Sequence, residues 1–135
     1  MKFDGPQGEL TERVIGVFYA VANELGCGFF ESVYRRSMAI ALREAGLAVH
    51  EEVAMPVAFH GQPVGVFLAD LVVNHSLILE LKAAEEITQA AEMQLKHYLR
   101  SCSIEVGLVL AFGERAKFRR LVFTNDRKRM DHPYE

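Results

Sequence analysis

From about Leu10 the apolar positions repeat with a helical period: Val14, Val17, Phe18, Val21 and Leu25 form one stripe. Gly26-Cys27-Gly28 ends that helix, because glycine accepts the left-handed conformation at a helix terminus. A second helix is predicted over 31–45, with Tyr34, Met38, Ala41, Leu42 and Ala45 on its buried face and Gly46 beyond it. The period then shortens. Residues 47–59 are valine-rich and carry Pro56, which marks an interrupted or edge strand. His60-Gly61-Gln62-Pro63 is a turn. Two further strands, 64–73 and 77–83, flank the polar break Asn74-His75-Ser76 and read as a tight antiparallel hairpin. Thr88 is placed to cap a third helix bearing Ala91, Leu95, Tyr98, Leu99 and Cys102 on one face. Residues 104–112 form a nearly unbroken apolar run, the pattern of a central buried strand. Gly113-Glu114 turns the chain into a last, edge-like strand over 118–123.

The order α-α-β-β-β-α-β-β predicts an α/β sandwich, a central mixed sheet flanked by helices. Residues 1–9 read as a loose lead-in, 10–124 as a single domain, and 125–135 as a polar tail containing Arg127-Lys128-Arg129.

Composition narrows the class. Half of the 135 residues are hydrophobic and 24% are charged, an ordinary globular balance with enough apolar material for one core. The net charge of -3 argues against a protein that coats nucleic acid by bulk charge, but leaves room for a local basic patch. Cys27 and Cys102 are too few and too far apart for a disulfide framework or a cysteine metal site. The N-terminal residues lack an apolar signal core, and no run approaches the roughly 20 apolar residues of a membrane helix. The expectation is a soluble cytoplasmic protein with no membrane partner.

The chemistry concentrates in the 66–82 segment. With the hairpin turn centred on His75, Asp70 lies opposite Glu80, and Glu80 and Lys82 project from one face. Charges on such apolar strands must pair or hold a metal. Mg²⁺ takes hard oxygen ligands and is often held by one or two carboxylates plus a substrate phosphate. Asp70 and Glu80 are candidates for the carboxylates, the Leu81 carbonyl for a further oxygen, and Lys82 for orienting an attacking water or offsetting charge on a phosphate. The structural alternative is a solvated cross-strand ion pair. Gln94 and Tyr98, four apart on the following helix, share a face that can turn toward this site; a core tyrosine beside a surface glutamine is the competing account. Gly28, Glu31 and Tyr34 open the second helix, where an acidic side chain is already favoured by the helix dipole.

These three signals occur together and in order. GFFESVY over 28–34, LADLVV over 68–73, LELK over 79–82 and QLKHY over 94–98 resemble the GxxExxY proteins of the PD-(D/E)XK nuclease superfamily across nearly the whole chain. The Gln-x-x-x-Tyr element is similar to one in RecB-type and lambda-exonuclease-type nucleases. The resemblance implies a restriction-endonuclease-like fold and a Mg²⁺- or Mn²⁺-dependent nuclease acting on nucleic acid, with DNA favoured. It matches Asp70 and Glu80 to the metal ligands, Lys82 to the catalytic lysine, and Glu31 to the helix acid that completes the metal site directly or through water. Gln94 and Tyr98 match the accessory, substrate-binding motif. Ala69 stands where the superfamily carries its first-letter proline, and Glu31 where many RecB-like members carry histidine.

The rival class is a non-catalytic module that keeps the nuclease fold to bind nucleic acid or protein; hydrolysis of a small nucleotide is a third. A domain this small is also compatible with a homodimer or a larger assembly partner. His50, His75 and His97 show no ligand spacing, Cys102 reads as a core thiol and Cys27 as a loop thiol. Glu51-Glu52 reads as a solvated strand edge or a neighbour of the site.

Overall fold

Asn74 and His75, both in the left-handed region at φ 51° and 54°, turn the central hairpin. Two residues at positive φ give a turn whose twist matches that of the strands it joins. The Ser76 N–H closes it on the Val73 carbonyl at 2.9 Å. The computed structural model describes residues 1–128 and builds outward from this hairpin. Five strands, β1 (Val49–Phe59), β2 (Gln62–Val73), β3 (Leu77–Lys82), β4 (Val106–Phe112) and β5 (Ala116–Val122), lie in chain order in one mixed sheet. β3 and β4 run parallel, and every other neighbouring pair is antiparallel. That single parallel pair needs a crossover, supplied by α3 (Gln89–Arg100).

The sheet separates two apolar layers. α1 (Gly8–Leu25) and α2 (Glu31–Glu44) pack Val14, Phe18, Tyr34, Met38 and Leu42 against Leu71, Leu79, Leu81, Leu108 and Leu110. α3 packs Leu95 and Leu99 against Ile78, Val109, Ala69 and Phe67 on the opposite face. β4 is buried along its full length, as its unbroken apolar run requires. The architecture is therefore the α/β sandwich that the element order predicts. Thr88 caps α3 as expected, its hydroxyl accepting from the Ala91 N–H at 3.1 Å.

Some boundaries and faces differ from the sequence reading. α1 begins at Gly8, two residues early, and β5 begins at Ala116 rather than 118. On α2, Ala39 is buried where the stripe placed Ala45, which is exposed because the helix stops at Glu44. Ahead of α1, Phe3 packs edge-on against Phe118 with ring centroids 5.9 Å apart, and Arg120 donates to the Pro6 carbonyl at 2.7 Å. Residues 125–127 form a short 3-10 turn. Lys128 donates to the carbonyls of Cys102 and Ile104, so this lysine of the basic run is engaged by the chain itself. Arg129 and the rest of the tail lie outside the described residues.

The feature that positions the site is a change of face in the β1–β2 ribbon. Val49, Leu71 and Val73 belong to the α1–α2 layer, whereas Val53, Met55, Phe67 and Ala69 belong to the α3 layer. Simple alternation would keep these odd-numbered residues together. The switch falls at Glu52, which adopts φ 51°, and at Asp70 across from it; the ladder pairs Glu51 with Leu71 and Val53 with Ala69 but skips the rung between.

Candidate active site

The β2–β3 ladder runs from Val73 and Leu77 to Leu71 and Leu79 and ends there. Asp70 and Glu80 are the next residues out, so they sit where the two strands part. Asp70 fills the gap: its Oδ2 accepts the Leu81 N–H at 2.8 Å, and its own N–H points to Glu80 Oε1 at 3.4 Å. Each carboxylate thus replaces part of a missing ladder bond, which answers the requirement that buried backbone N–H groups find acceptors.

Glu80 is only 6% exposed, and Asp70 is half-buried. Burial, followed by the charge of Asp70, pushes the Glu80 carboxyl up to about 8; the Asp70 N–H and Lys82 oppose this. Burial also raises Asp70, and Glu31 adds to the rise, while the Leu81 N–H, Lys82 and Arg35 pull it down. Ile78 belongs to the α3 layer and Leu77, Leu79 and Leu81 to the other, so Glu80 and Lys82 face α3, as strand alternation predicts. Among the described residues Lys82 forms no ion pair.

α2 and α3 flank this gap. Glu31, in the first turn of α2, reaches the end of β3, where its Oε2 lies 3.4 Å from the Ala83 N–H. On α3, burial and then the charges of Glu80 and Asp70 raise the Tyr98 hydroxyl, with Gln94 beside it opposing the rise. The Tyr98 ring stacks on Phe67 with centroids 3.5 Å apart. The exposed Gln94 amide and the half-buried Tyr98 therefore lie on the side of the sheet to which Glu80 points. Tyr34 is fully buried and stacks on Phe112; its hydroxyl donates to the Gly26 carbonyl at 2.6 Å and accepts the Phe29 N–H. It is a core residue that fixes the loop leading to Glu31.

The structure thus brings Asp70, Glu80 and Lys82 together, with Glu31 at the rim and Gln94 and Tyr98 across from them. It does not draw three acidic, histidine or cysteine side chains into one cage among the described residues. Mg²⁺ does not require one, since it retains several waters and takes substrate oxygens. The donor set fits a divalent cation on a separate ground. Burial raises both adjacent carboxyls and the charge of Asp70 raises Glu80 further, so a cation between them would relieve both.

Sequence reasoning overlooked Arg35. It stands one helical turn after Glu31, pairs with Glu52 at 3.3 Å, approaches Glu51 at 3.9 Å, and lowers the Asp70 carboxyl. Its buried Nε has no hydrogen-bond partner. The i, i+4 spacing from Glu31 was the available signal. Glu51 also receives Arg36 at 2.7 Å and Arg43 at 3.4 Å, so it ties β1 to α2 rather than entering the gap. Cys27 is exposed and Cys102 half-buried.

A family model for the PD-(D/E)XK nuclease superfamily matches residues 8–121. The chain belongs to that superfamily, and its five-stranded mixed sheet with three helices is consistent with the restriction-endonuclease-like fold. No curated protein and no solved structure gives a significant match. No helix among the described residues is long and apolar enough to cross a membrane.

Proposed function

We propose that the chain is a metal-dependent nuclease of the GxxExxY branch, hydrolysing phosphodiester bonds in nucleic acid, with DNA as the favoured substrate. The observation that carries this reading is the Asp70–Glu80 pair at the parted strands, with Lys82 on the same face as Glu80. Asp70 and Glu80 would hold Mg²⁺ or Mn²⁺, with Glu31 joining directly or through water. In a strand the N–H and C=O of one residue point toward the same neighbour, so the Leu81 carbonyl opens toward Asp70 and supplies a further oxygen. The bound cation would polarise the scissile phosphate and lower the pKa of a coordinated water.

The chain's own groups do the positioning. Lys82 orients the attacking water in line with the scissile bond and offsets charge developing on the phosphate. Tyr98 and Gln94 line the α3 side and offer hydrogen bonds to substrate oxygens. Arg35 favours the ionised form of Asp70. The test is a cleavage panel on labelled single- and double-stranded DNA and RNA with Mg²⁺, Mn²⁺ or EDTA. Cleavage that needs a divalent ion is expected. Binding without cleavage under every ion would replace this reading with that of a binding module on a nuclease fold.

A further inference from the structure

We propose, resting on the nuclease reading of the site, that Phe30 stacks an unpaired base of the substrate, so that the chain engages single-stranded or frayed nucleic acid in preference to intact duplex. Phe30 is 84% exposed, more than any other large hydrophobic side chain among the described residues. It is also the N-cap of α2 and makes no side-chain capping bond there. That position favours Ser, Thr, Asp or Asn, whose oxygens accept the free N–H groups of the first helical turn. Neither burial nor capping therefore accounts for a phenylalanine. Its neighbour Phe29 is accounted for: it packs edge-on against Tyr34 with ring centroids 6.0 Å apart. That contact, between the residue ahead of the cap and the fourth helical residue, fixes the angle at which a chain enters a helix. Two local rules fail together at Phe30 alone, and such failures collect at functional sites.

The place of Phe30 identifies what it meets. Its Cα lies about 3.8 Å from that of Glu31, whose carboxylate reaches the Ala83 N–H at the end of β3. The ring therefore stands at the rim of the gap that holds Asp70 and Glu80. Its loop is fixed by a fully buried residue: the Tyr34 hydroxyl donates to the Gly26 carbonyl at 2.6 Å and accepts the Phe29 N–H at 3.3 Å. A ring on a fixed backbone loses little freedom when it binds. One ring falls far short of the roughly 800 Å² that each partner contributes to a protein interface. It does match one base. Every base has a π face, and stacking does not depend on the bulk positive charge that a net charge of -3 denies this chain. In a duplex those faces are covered by the neighbouring pairs, whereas an unpaired base can be splayed onto an aromatic side chain.

The chain contains no tryptophan, so Phe30→Trp places a single fluorescent reporter at the site. Binding of a single-stranded DNA oligonucleotide and of the blunt duplex of the same sequence is measured on the full chain in EDTA. The wild type is expected to bind the single strand more tightly. Phe30→Ser introduces a favoured cap residue and is expected to melt no lower than the wild type. It should lose roughly 5- to 150-fold in single-strand affinity, the effect of removing one base–aromatic stack, with duplex affinity unchanged. Phe30→Trp should keep single-strand affinity, and its emission should be quenched by the single strand and not by the duplex. Single-strand binding undiminished in Phe30→Ser overturns the proposal, as does Phe30→Trp emission that stays constant while the strand binds. A wild type that binds both forms equally, or neither, overturns it too. Divalent-dependent cleavage judges the nuclease reading separately. Cutting by the wild type, with full single-strand affinity in Phe30→Ser, would keep that reading and remove the stacking role. Stacking at Phe30 without cutting under any ion would do the reverse.

Discussion

The Asp70 carboxylate takes the Leu81 N–H at 2.8 Å, a hydrogen bond that the departing β2 backbone no longer provides. One side chain therefore serves the fold and the site at once. Removing it tests both, and the choice of replacement separates them.

Asp70→Asn can keep an oxygen for the Leu81 N–H but loses the charge, whereas Asp70→Ala leaves that N–H unsatisfied. Calorimetric titration with Mn²⁺ should show binding to the wild type and at least ~10-fold weaker binding to both variants. Only Asp70→Ala should also lose about 1–3 kcal/mol of stability. Undiminished Mn²⁺ affinity in Asp70→Asn would remove Asp70 from the ligand set.

The Glu80 carboxyl moves from an ordinary value of 4.5 to about 8 in the folded chain. The folded state then binds a proton that the unfolded state releases. The stability this contributes is complete below about pH 4.5 and is lost as pH rises through about 8. In EDTA, the stability of wild type relative to Glu80→Gln should fall steadily across that window in thermal or urea melts. A pH-independent difference would mean that Glu80 is not held protonated.

Lys82→Ala should fold, bind Mn²⁺ and retain most of its affinity for DNA. Single-turnover cleavage should slow by ~10²–10⁴-fold, the usual consequence of losing a positioned catalytic group. If salt-titrated DNA binding instead falls in proportion to cleavage, Lys82 is a phosphate contact and not part of the chemistry.

Arg35→Gln removes a charge that holds the Asp70 carboxyl down. Asp70 then releases its proton at higher pH, so the midpoint of Mn²⁺ binding should move upward in pH. At high pH, affinity should return to the wild-type value. A profile that drops uniformly without moving would assign Arg35 to general packing.

α3 is seated on β4 at Gly107, where an added Cβ would lie 2.7 Å from Leu95 Cδ1. Gly107→Ala should destabilise the protein by ~1–3 kcal/mol through overpacking. Leu95→Val opens space at the same point, so the double variant should recover part of that loss in a mutant cycle on urea melts. Strict additivity would mean that the two residues do not press on each other.

The sequence was most legible where one period governs a segment. The stripe of α1, the unbroken run of β4 and the Thr88 cap are local signals, and each reports its own burial. The pairing of Asp70 with Glu80 was also legible, because a turn at His75 leaves only one register. What local pattern could not carry was the change of face at Glu52. A left-handed glutamate has no sequence signature, and valines at odd positions stand on both sides of it, Val49 before and Val53 after. Arg35 was missed for a related reason. Its relation to Asp70 depends on how α2 crosses the sheet, which periodicity within one helix does not encode. That no three acidic, histidine or cysteine side chains form one cage among the described residues is likewise a tertiary outcome.

The buried acid pair also has an evolutionary consequence. Without metal, the fold must hold Glu80 as the neutral acid up to about pH 8 against its ordinary value of 4.5, so replacing Glu80 by a neutral residue avoids that cost. A gene copy released from selection for activity would drift toward that loss because it gains stability on the way. Retention of both acids in a lineage is then a sign of continuing selection for what the pair does, and their loss is the first mark of a scaffold that has been put to another use.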